Sequence, residues 1–176
     1  NKIYSNFFNK LKIIKNLKFV FSRPNHRKIL IFDNKGFAAS HYRYFSNSNS
    51  TILHAMGENI NIFVFFKLLI KFKIPTVKAY IEEYIRLVKP EYIFHNSYNW
   101  RFFEIDKKKF DFRFIKIFTQ GELKNHRNFE EFVVNINNVN CDYIFVWSQG
   151  MKQIMSKYIK GEYIICGSFA NNDGPK

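Results

Sequence analysis

The stretch CDYIFVWSQGMKQIMSKYIKGEYIIC, residues 141–166, decides the fold of this chain. Its first part, Cys141–Trp147, is an apolar run rich in β-branched and aromatic residues, which predicts a buried strand. Ser148 follows as a helix N-cap, and the helix is predicted to run through Tyr158. Glu162–Cys166 is a second predicted strand. A strand, a helix and a strand in this order predict two parallel strands joined by a crossover helix.

The same alternation extends toward the amino terminus. The further predicted elements are strands at Lys28–Asp33, Glu91–His95 and Phe112–Thr119, helices at Glu58–Lys73 and Thr76–Lys89, and a long loop at Asn34–Thr51. Five strands interleaved with helices predict the α/β class, with a doubly wound, Rossmann-like parallel sheet in a single domain over residues 28–172. Residues 1–27 are predicted to be a separate basic segment. Residues 173–176 are predicted to start a truncated inter-domain linker, so we expect a piece of a longer protein.

The composition excludes several classes of protein. The chain has 176 residues and is 47% hydrophobic, which excludes a disordered chain. Its two cysteines, Cys141 and Cys166, form no Cys-x-x-Cys pair, which excludes a disulfide scaffold or a zinc ribbon and fits a reducing compartment. The longest apolar run, Ile62–Ile70, is interrupted by Lys67 and falls far short of the ~20 residues that span a bilayer.

Positive charge is concentrated at the amino terminus. The formal net charge is +14, and eight Lys and Arg residues precede the first acid, Asp33. Phe7, Leu11, Ile14 and Phe21 recur at helical spacing with lysines between them, which predicts a short basic amphipathic helix. Such a helix can rest on anionic lipid headgroups or pack on its own domain with a solvated lysine face. The side chains expected to contact the membrane are Phe7, Leu11, Lys12, Ile14, Lys15 and Lys18.

Small polar residues follow the predicted strands. In doubly wound sheets, ligands collect outside the carboxyl ends of the strands. Asn and Gln side chains both donate and accept hydrogen bonds, as a hydroxyl-rich ligand requires. The residues predicted to bind substrate are Asp33, Asn34, Gly36, His41, Asn96, Asn99, Gln120, Gly121, Ser148, Gly167, Ser168 and Asn171.

The order of these segments resembles a known family. HNSYNW at residues 95–100, TQGE at 119–122, and the strand–helix–strand run that ends in CGSFANN at residue 172 are similar to the amino-terminal domain of GT-B glycosyltransferases of bacterial surface-carbohydrate biosynthesis. LHAMGENINIFVFF at 53–66 and KPEYIFHNS at 89–97 resemble the same family. That domain commonly closes with an acidic strand, a Ser-capped helix and a short strand that enters a Gly/Asn turn. Cys141-Asp142, Ser148 and Gly167-Ser168 stand at those positions, and the resemblance covers Lys28 to Asn172.

The resemblance implies transfer of a sugar from a nucleotide-sugar donor to a surface polysaccharide, a lipopolysaccharide or a lipid-linked acceptor. In this family the amino-terminal domain mostly holds the acceptor and often supplies the base. The carboxyl-terminal domain holds the nucleotide and its diphosphate, usually without a metal. We therefore expect no cofactor and no metal here, with the nucleotide sugar a substrate bound mainly by a missing second domain, and a fragment that is inactive alone. The expected location is cytoplasmic, peripheral at the inner face of the cell membrane.

Two residues are predicted as catalytic. A glycosyl acceptor hydroxyl needs a nearby base, typically His, Asp or Glu. Glu122 follows Gly121 at a strand end, and its alternative role is that of a solvated loop acid. His95 ends a buried strand, and its alternative is an imidazole satisfied by neighbouring backbone groups. No acid or His stands in a motif that maps onto a known catalytic base of the family.

Two other functions remain open at this point. The same fold could carry polyol-phosphate transfer, as in teichoic-acid polymerases. A basic, aromatic-rich α/β module could instead bind single-stranded nucleic acid. The chain has no ribonucleoprotein motif and its aromatic residues fall mostly at core-periodic positions, so nucleic acid is not expected as a partner. The phosphate loop of NTPases, the dinucleotide glycine fingerprint, the nucleophile elbow and the Asp-x-Asp sugar motif are also missing from the sequence.

Overall fold

The computed structural model describes residues 18–32, 45–46, 48–55, 59–72, 74–97, 99–121 and 139–167. In chain order its elements are β1 (Lys18–Val20), β2 (Ile29–Phe32), β3 (Ser50–Leu53), β4 (Asn59–Asn61), α1 (Ile62–Ile70), α2 (Val77–Val88), β5 (Tyr92–His95), α3 (Trp100–Phe103), β6 (Ile115–Thr119), β7 (Asn140–Val146), α4 (Gln149–Met155) and β8 (Lys160–Ile165). A 3-10 turn at Lys107–Lys109 separates α3 from β6.

Six strands form one parallel sheet in the order β3-β2-β5-β6-β7-β8. Ile31 of β2 lies opposite Ile52 on one side and Phe94 on the other. The chain therefore builds outward from β2 in both directions, first to β3 and then through β5 to β8. This confirms the predicted α/β, doubly wound, Rossmann-like sheet. The reversal at β2 makes the carboxyl ends of β2 and β5 the switch point of the fold.

The central strands carry apolar side chains because both faces of the sheet are covered. Leu30, Ile93, Phe118 and Ile144, one from each of four strands, have no exposed surface. Residues buried on both faces give continuous apolar runs in the sequence, and each of the five predicted strands is present in this sheet. The buried side chains of these strands form the core, and their packing fixes where the strands end.

Helix α2, Val77–Val88, lies within the helix predicted at Thr76–Lys89. Thr76 is the N-cap, and its hydroxyl accepts a hydrogen bond from the Ala79 amide at 3.1 Å. The helix ends at Lys89, which adopts a left-handed conformation with φ of 48°, immediately before Pro90. The Ile85 side chain of its inner face is completely buried.

The predicted loop at Asn34–Thr51 is wrong at its end, because β3 begins at Ser50 and runs to Leu53. This strand lies at the edge of the sheet next to β2. It starts with two polar residues and only Leu53 is buried, so it lacks the continuous apolar run of a central strand.

The predicted amphipathic helix over Phe7–Phe21 is wrong at Lys18–Val20, which forms β1. This strand pairs in parallel with β4 in a separate two-stranded sheet. The pairing satisfies backbone groups that a helix would otherwise satisfy internally. Residues 1–17, which hold the other predicted membrane contacts, lie outside the described residues. The helix predicted from Glu58 begins only at Ile62, because β4 precedes it.

No helix in the described part of the chain is both long enough and apolar enough to span a bilayer.

Candidate functional site

The predicted site residues that the structure describes follow the carboxyl ends of parallel strands and lie along one edge of the sheet. His95 ends β5, Gln120 follows β6, Ser148 comes two residues after β7, and Gly167 comes two residues after β8. The predicted layout of strand ends is therefore present. The predicted residues outside the described ranges are Asp33, Asn34, Gly36, His41, Glu122, Ser168 and Asn171.

His95 lies at the switch point and is fully buried. Its Nδ1 lies 2.6 Å from the carbonyl oxygen of Phe32, the last residue of β2. Its Nε2 accepts a hydrogen bond from the Asn99 amide at 3.2 Å and lies 3.3 Å from the Ser97 hydroxyl. Since a carbonyl can only accept and an amide can only donate, these contacts assign the neutral tautomer with its proton on Nδ1.

Aromatic rings enclose the His95 imidazole. The ring centroids of Phe32, Phe102 and Phe118 lie 5.4, 4.9 and 6.3 Å from that of His95. Desolvation by burial lowers the pKa of His95 to about 3, against the opposing effect of its backbone hydrogen bonds. Both ring nitrogens are engaged and the ring is neutral, which favours the role of tying β5 to β2 over that of a base.

The predicted amides hold the strand-end loops together. Asn99 caps α3, where its side chain accepts from the Arg101 amide at 3.1 Å. Gln120 reaches across to β7, where its Oε1 accepts from the Trp147 amide at 3.0 Å. Asn96 is buried and its carbonyl oxygen contacts Gly121, where a Cβ would lie 2.2 Å from that oxygen. These residues shape the edge through contacts that sequence patterns do not show.

Two buried polar atoms near the carboxyl ends of β6 and β7 have no hydrogen-bond partner. They are Thr119 Oγ1 and Trp147 Nε1, neither of which is paired within the part of the chain that the structure describes. Burying such groups without a partner costs free energy, so a bound polar molecule could satisfy either of them. Ser148, one residue further on, caps α4 by accepting from the Met151 amide at 3.3 Å.

A cavity of about 300 Å³ lies beyond the carboxyl end of β3. It is lined by His54, Ala55, Asn59, Ile60, Phe65, Pro75, Thr76, Val77, Tyr80 and Arg101. A second cavity of about 340 Å³ adjoins it, because His54, Asn59 and Tyr80 line both. The lining of the first cavity combines apolar side chains with hydrogen-bonding groups, as in sites for ligands with a polar head and an apolar part.

Arg101 supplies positive charge to this cavity. Its guanidinium stacks on the Trp100 ring at 5.1 Å from the ring centroid, and its Nη1 donates to the Ala55 carbonyl at 3.4 Å. Among the described residues, no carboxylate forms an ion pair with it. A guanidinium without a carboxylate partner is suited to bind a phosphate or a carboxylate of a ligand.

Tyr80 provides a hydroxyl group to both cavities. Its oxygen accepts a hydrogen bond from the Asn61 amide at 2.8 Å, which leaves its own proton to donate. Burial raises the pKa of Tyr80 to about 12, so the hydroxyl is neutral at physiological pH. Tyr84 lies beside it and donates to the Ile52 carbonyl at 3.3 Å.

Sequence patterns did not indicate these cavities. His54 follows the strand that was not predicted, Tyr80 lies within a predicted helix with no sign of a binding role, and Arg101 lies in the short helix after β5. Trp100, at the exposed start of that helix, is the one sequence signal nearby, since an aromatic ring after a strand end can stack on a sugar. The described residues contain no cluster of His, Cys, Asp and Glu side chains able to hold a metal ion.

Comparison of the chain with known protein families, with curated proteins and with solved structures finds no match.

Proposed function

We propose that this chain is the acceptor-binding domain of a GT-B type glycosyltransferase that acts on a surface glycan or a lipid-linked acceptor at the cytoplasmic face of the membrane. The observation that carries the proposal is the cavity beyond the carboxyl end of β3, whose lining combines Arg101 and Tyr80 with apolar side chains. Its position at the carboxyl edge of a doubly wound sheet is where ligands of such folds bind. The resemblance of the sequence segments supports the same assignment.

The proposed roles follow from the chemistry of each group. The Arg101 guanidinium binds an anionic group of the acceptor, and the Tyr80 hydroxyl donates to an acceptor oxygen. We assign the base to Glu122 in preference to His95, because the imidazole is neutral, enclosed and bonded at both nitrogens. Glu122 follows Gly121, which lies against the backbone of Asn96, and Thr119, two residues before Gly121, has a buried hydroxyl with no partner among the described residues. The nucleotide sugar is a substrate, held mainly by a second domain.

A transfer assay tests the proposal. The full gene product is incubated with a panel of radiolabelled nucleotide sugars and membranes of the cells that encode it, and label in the glycan and lipid fractions is counted. Glu122→Gln should lower kcat by about a hundredfold or more, as removal of a general base does. Arg101→Gln should raise the KM for the acceptor by about tenfold and leave the KM for the donor unchanged.

The matched control for charge is Arg113→Gln. Arg113 is exposed and precedes β6, at the opposite edge of the sheet. The Arg113→Gln variant should have the same kcat and KM as the wild type. Wild-type turnover in a folded Glu122→Gln protein would contradict the assignment of the base, and an absence of transfer from every donor in the panel would contradict the proposed class.

Two assays separate the alternative functions. Transfer of label from CDP-glycerol or CDP-ribitol, with none from nucleotide sugars, would identify a polyol-phosphate transferase. Binding of a fluorescent single-stranded oligonucleotide that weakens steeply with salt would identify a nucleic-acid module. We expect neither result, because the quoted segments resemble enzymes that use nucleotide sugars and the sequence has no ribonucleoprotein motif.

A further inference from the structure

The connection between α1 and α2 exposes an unusual amount of apolar surface. We call residues 65–72 and 74–78 the α1–α2 tip. Its exposed apolar side chains are Phe65, Phe66, Leu69, Ile70, Phe72, Ile74 and Val77. Phe72 is 99% exposed, Ile74 is 81% exposed and Ile70 is 77% exposed. Contiguous apolar exposure of this kind marks an interaction surface.

Helix α1 is apolar on both of its faces. Val64 and Leu68 are buried, so the helix packs on the domain through the face that carries these two residues. Phe66, Leu69 and Ile70 lie on the outer face and contribute nothing to that burial. A helix that is apolar all round is usually surrounded by protein or lipid.

An ion pair joins the two helices at the tip. Lys71 Nζ donates to both carboxylate oxygens of Glu83, at 2.7 Å each, which joins the end of α1 to α2. The next residue, Phe72, adopts a left-handed backbone with φ of 52°, a conformation that is costly for an aromatic residue. The fold therefore holds the most exposed aromatic ring of the described chain in a strained position at its surface.

The sequence of this segment carries only positive charge, although Lys71 pairs with the buried Glu83 of α2. The sequence carries Lys67, Lys71, Lys73 and Lys78 in this segment, and no Asp or Glu occurs between Glu58 and Glu82. Lysines that flank exposed aromatic and aliphatic groups are the composition of surfaces that bind anionic membranes. A second copy of the chain would bring the same lysines together, and like charges would oppose that contact.

We propose that the α1–α2 tip is a membrane-docking surface that inserts Phe72 and Ile74 among the headgroups of an anionic bilayer. This surface differs from the predicted contact at Phe7–Lys18. Phe65, Pro75, Thr76 and Val77 also line the 300 Å³ cavity, so docking brings the cavity to the bilayer. Delivery of a lipid-linked acceptor into that cavity rests on the proposed function, whereas the docking itself does not.

Vesicle cosedimentation of the full chain tests the proposal without any sugar donor. Binding is measured to phosphatidylcholine vesicles with and without phosphatidylglycerol. We expect binding only to the anionic vesicles. Phe72→Ser/Ile74→Ser should weaken the binding by about tenfold or more, because the variant lacks the two apolar side chains that insert into the bilayer. Circular dichroism should show an unchanged fold, since both side chains are exposed.

Two matched controls separate the tip from general effects. Lys67→Glu/Lys78→Glu should abolish the preference for anionic lipid, whereas Lys157→Glu/Lys160→Glu changes the net charge equally at the far end of the sheet and should affect binding much less. Ile165→Ser removes an exposed apolar side chain of β8 and should leave binding unchanged.

Three results would overturn the docking proposal. The first is full vesicle binding by the folded Phe72→Ser/Ile74→Ser protein. The second is loss of binding in Leu11→Ser/Ile14→Ser alone, which would place the contact in the amino-terminal segment. The third is a concentration-dependent dimer that the tip variant abolishes, with no vesicle binding, which would show that a second copy covers the surface. None of these results bears on the transfer assay.

Discussion

The imidazole of His95 connects the two strands at the switch point, with its Nδ1 2.6 Å from the carbonyl oxygen of Phe32. Strand β5 also pairs with β2 through its backbone, but that ladder ends at Ile31 and Phe94. The His95 side chain thus joins β5 to β2 one residue beyond their last backbone pair. This contact lies at the switch point, where ligands of doubly wound sheets commonly bind.

Replacement of His95 should change the pH dependence of stability. The folded pKa of about 3 lies below the ordinary value of 6.5, so the unfolded chain takes up the proton first as the pH falls. The stabilising contribution is complete above pH 6.5 and is lost progressively toward pH 3, at up to about 1.4 kcal/mol per pH unit. Urea denaturation from pH 7 to pH 4 should therefore show a smaller decline for His95→Gln than for the wild type.

The same substitution should lower stability at pH 7 by about 2 kcal/mol, because the Phe32 carbonyl and the Asn99 amide lose their partner. His26→Gln is the control, since His26 is exposed. It should change the free energy of unfolding by less than about 0.5 kcal/mol at pH 7. Parallel pH profiles for the wild type and His95→Gln would show that the imidazole protonates freely in the folded protein, and would restore it as a candidate base.

Gly121 is required for the close approach of two strand-end loops. A Cβ at this position would lie 2.2 Å from the backbone oxygen of Asn96, which cannot rotate away. We expect Gly121→Ala to lower the free energy of unfolding by about 2 to 3 kcal/mol, since the loops must separate. Urea denaturation followed by circular dichroism measures the change.

Gly150→Ala provides the comparison within the same sheet edge. Gly150 lies in α4, and its nearest neighbour to an added Cβ is the Ser148 hydroxyl at 3.8 Å, an ordinary contact. The substitution should stabilise the protein by about 0.5 to 1 kcal/mol, because alanine favours the helix. Equal effects of the two substitutions would show that Gly121 is not confined by Asn96.

Lys116 is a buried amine in the middle of the fold. Its Nζ donates to the carbonyls of Phe103 and Ile105 at 3.1 and 3.4 Å, and desolvation lowers its pKa to about 8. Since the unfolded value of 10.5 is higher, the unfolded chain holds more protons between pH 8 and 10.5. The wild type should therefore gain stability relative to Lys116→Met as the pH rises, by about 2 kcal/mol between pH 8 and 9.5.

Burial raises the pKa of the neighbouring Cys141 to about 12. This thiol therefore lowers the free energy of unfolding as the pH rises above 9, which is opposite to the effect of Lys116. The comparison should therefore be made in a Cys141→Ala background, where only the amine differs between the two proteins. Identical slopes with and without Lys116 would show that its amine is solvated in the folded state.

The sequence predicted the architecture well because the central strands are buried on both faces. Runs such as Ile29–Phe32 and Tyr92–His95 are apolar for that reason, and their alternation with helices implies parallel pairing. The edge strand Ser50–Leu53 is half-buried and short, so tertiary pairing rather than composition makes it a strand. The same holds for Lys18–Val20, whose partner lies about 40 residues away in the chain.

The positions of the strand ends could be predicted, but the contacts of the side chains there could not. Strand ends can be located from a sequence, and His95 and Gln120 do lie at the same edge. What their side chains bond to depends on residues from other strands, such as Phe32 and Trp147. The cavity near Arg101 has no local signal, because its lining comes from the residues after β3, from β4, from both long helices and the segment before α2, and from α3.

The ion pair of Lys71 with Glu83 should be the strongest of those in the described chain. The Glu83 side chain is 2% exposed, and both of its oxygens accept from Lys71 Nζ at 2.7 Å. Lys71→Met would leave a buried carboxylate without its cation, which should cost about 3 kcal/mol or more. Lys71→Met/Glu83→Leu should recover most of this loss, because it removes both charges.

The control is the ion pair of Glu82, on the same helix as Glu83, with Lys109 of the 3-10 turn; the Lys109 and Glu82 side chains are 44% and 14% exposed. Lys109→Met should cost less than about 1 kcal/mol, because solvent screens the pair. Urea denaturation of the three variants at neutral pH measures each difference. If Lys71→Met costs no more than Lys109→Met, the Glu83 carboxylate is hydrated in solution and the pair does not hold the ends of α1 and α2 together.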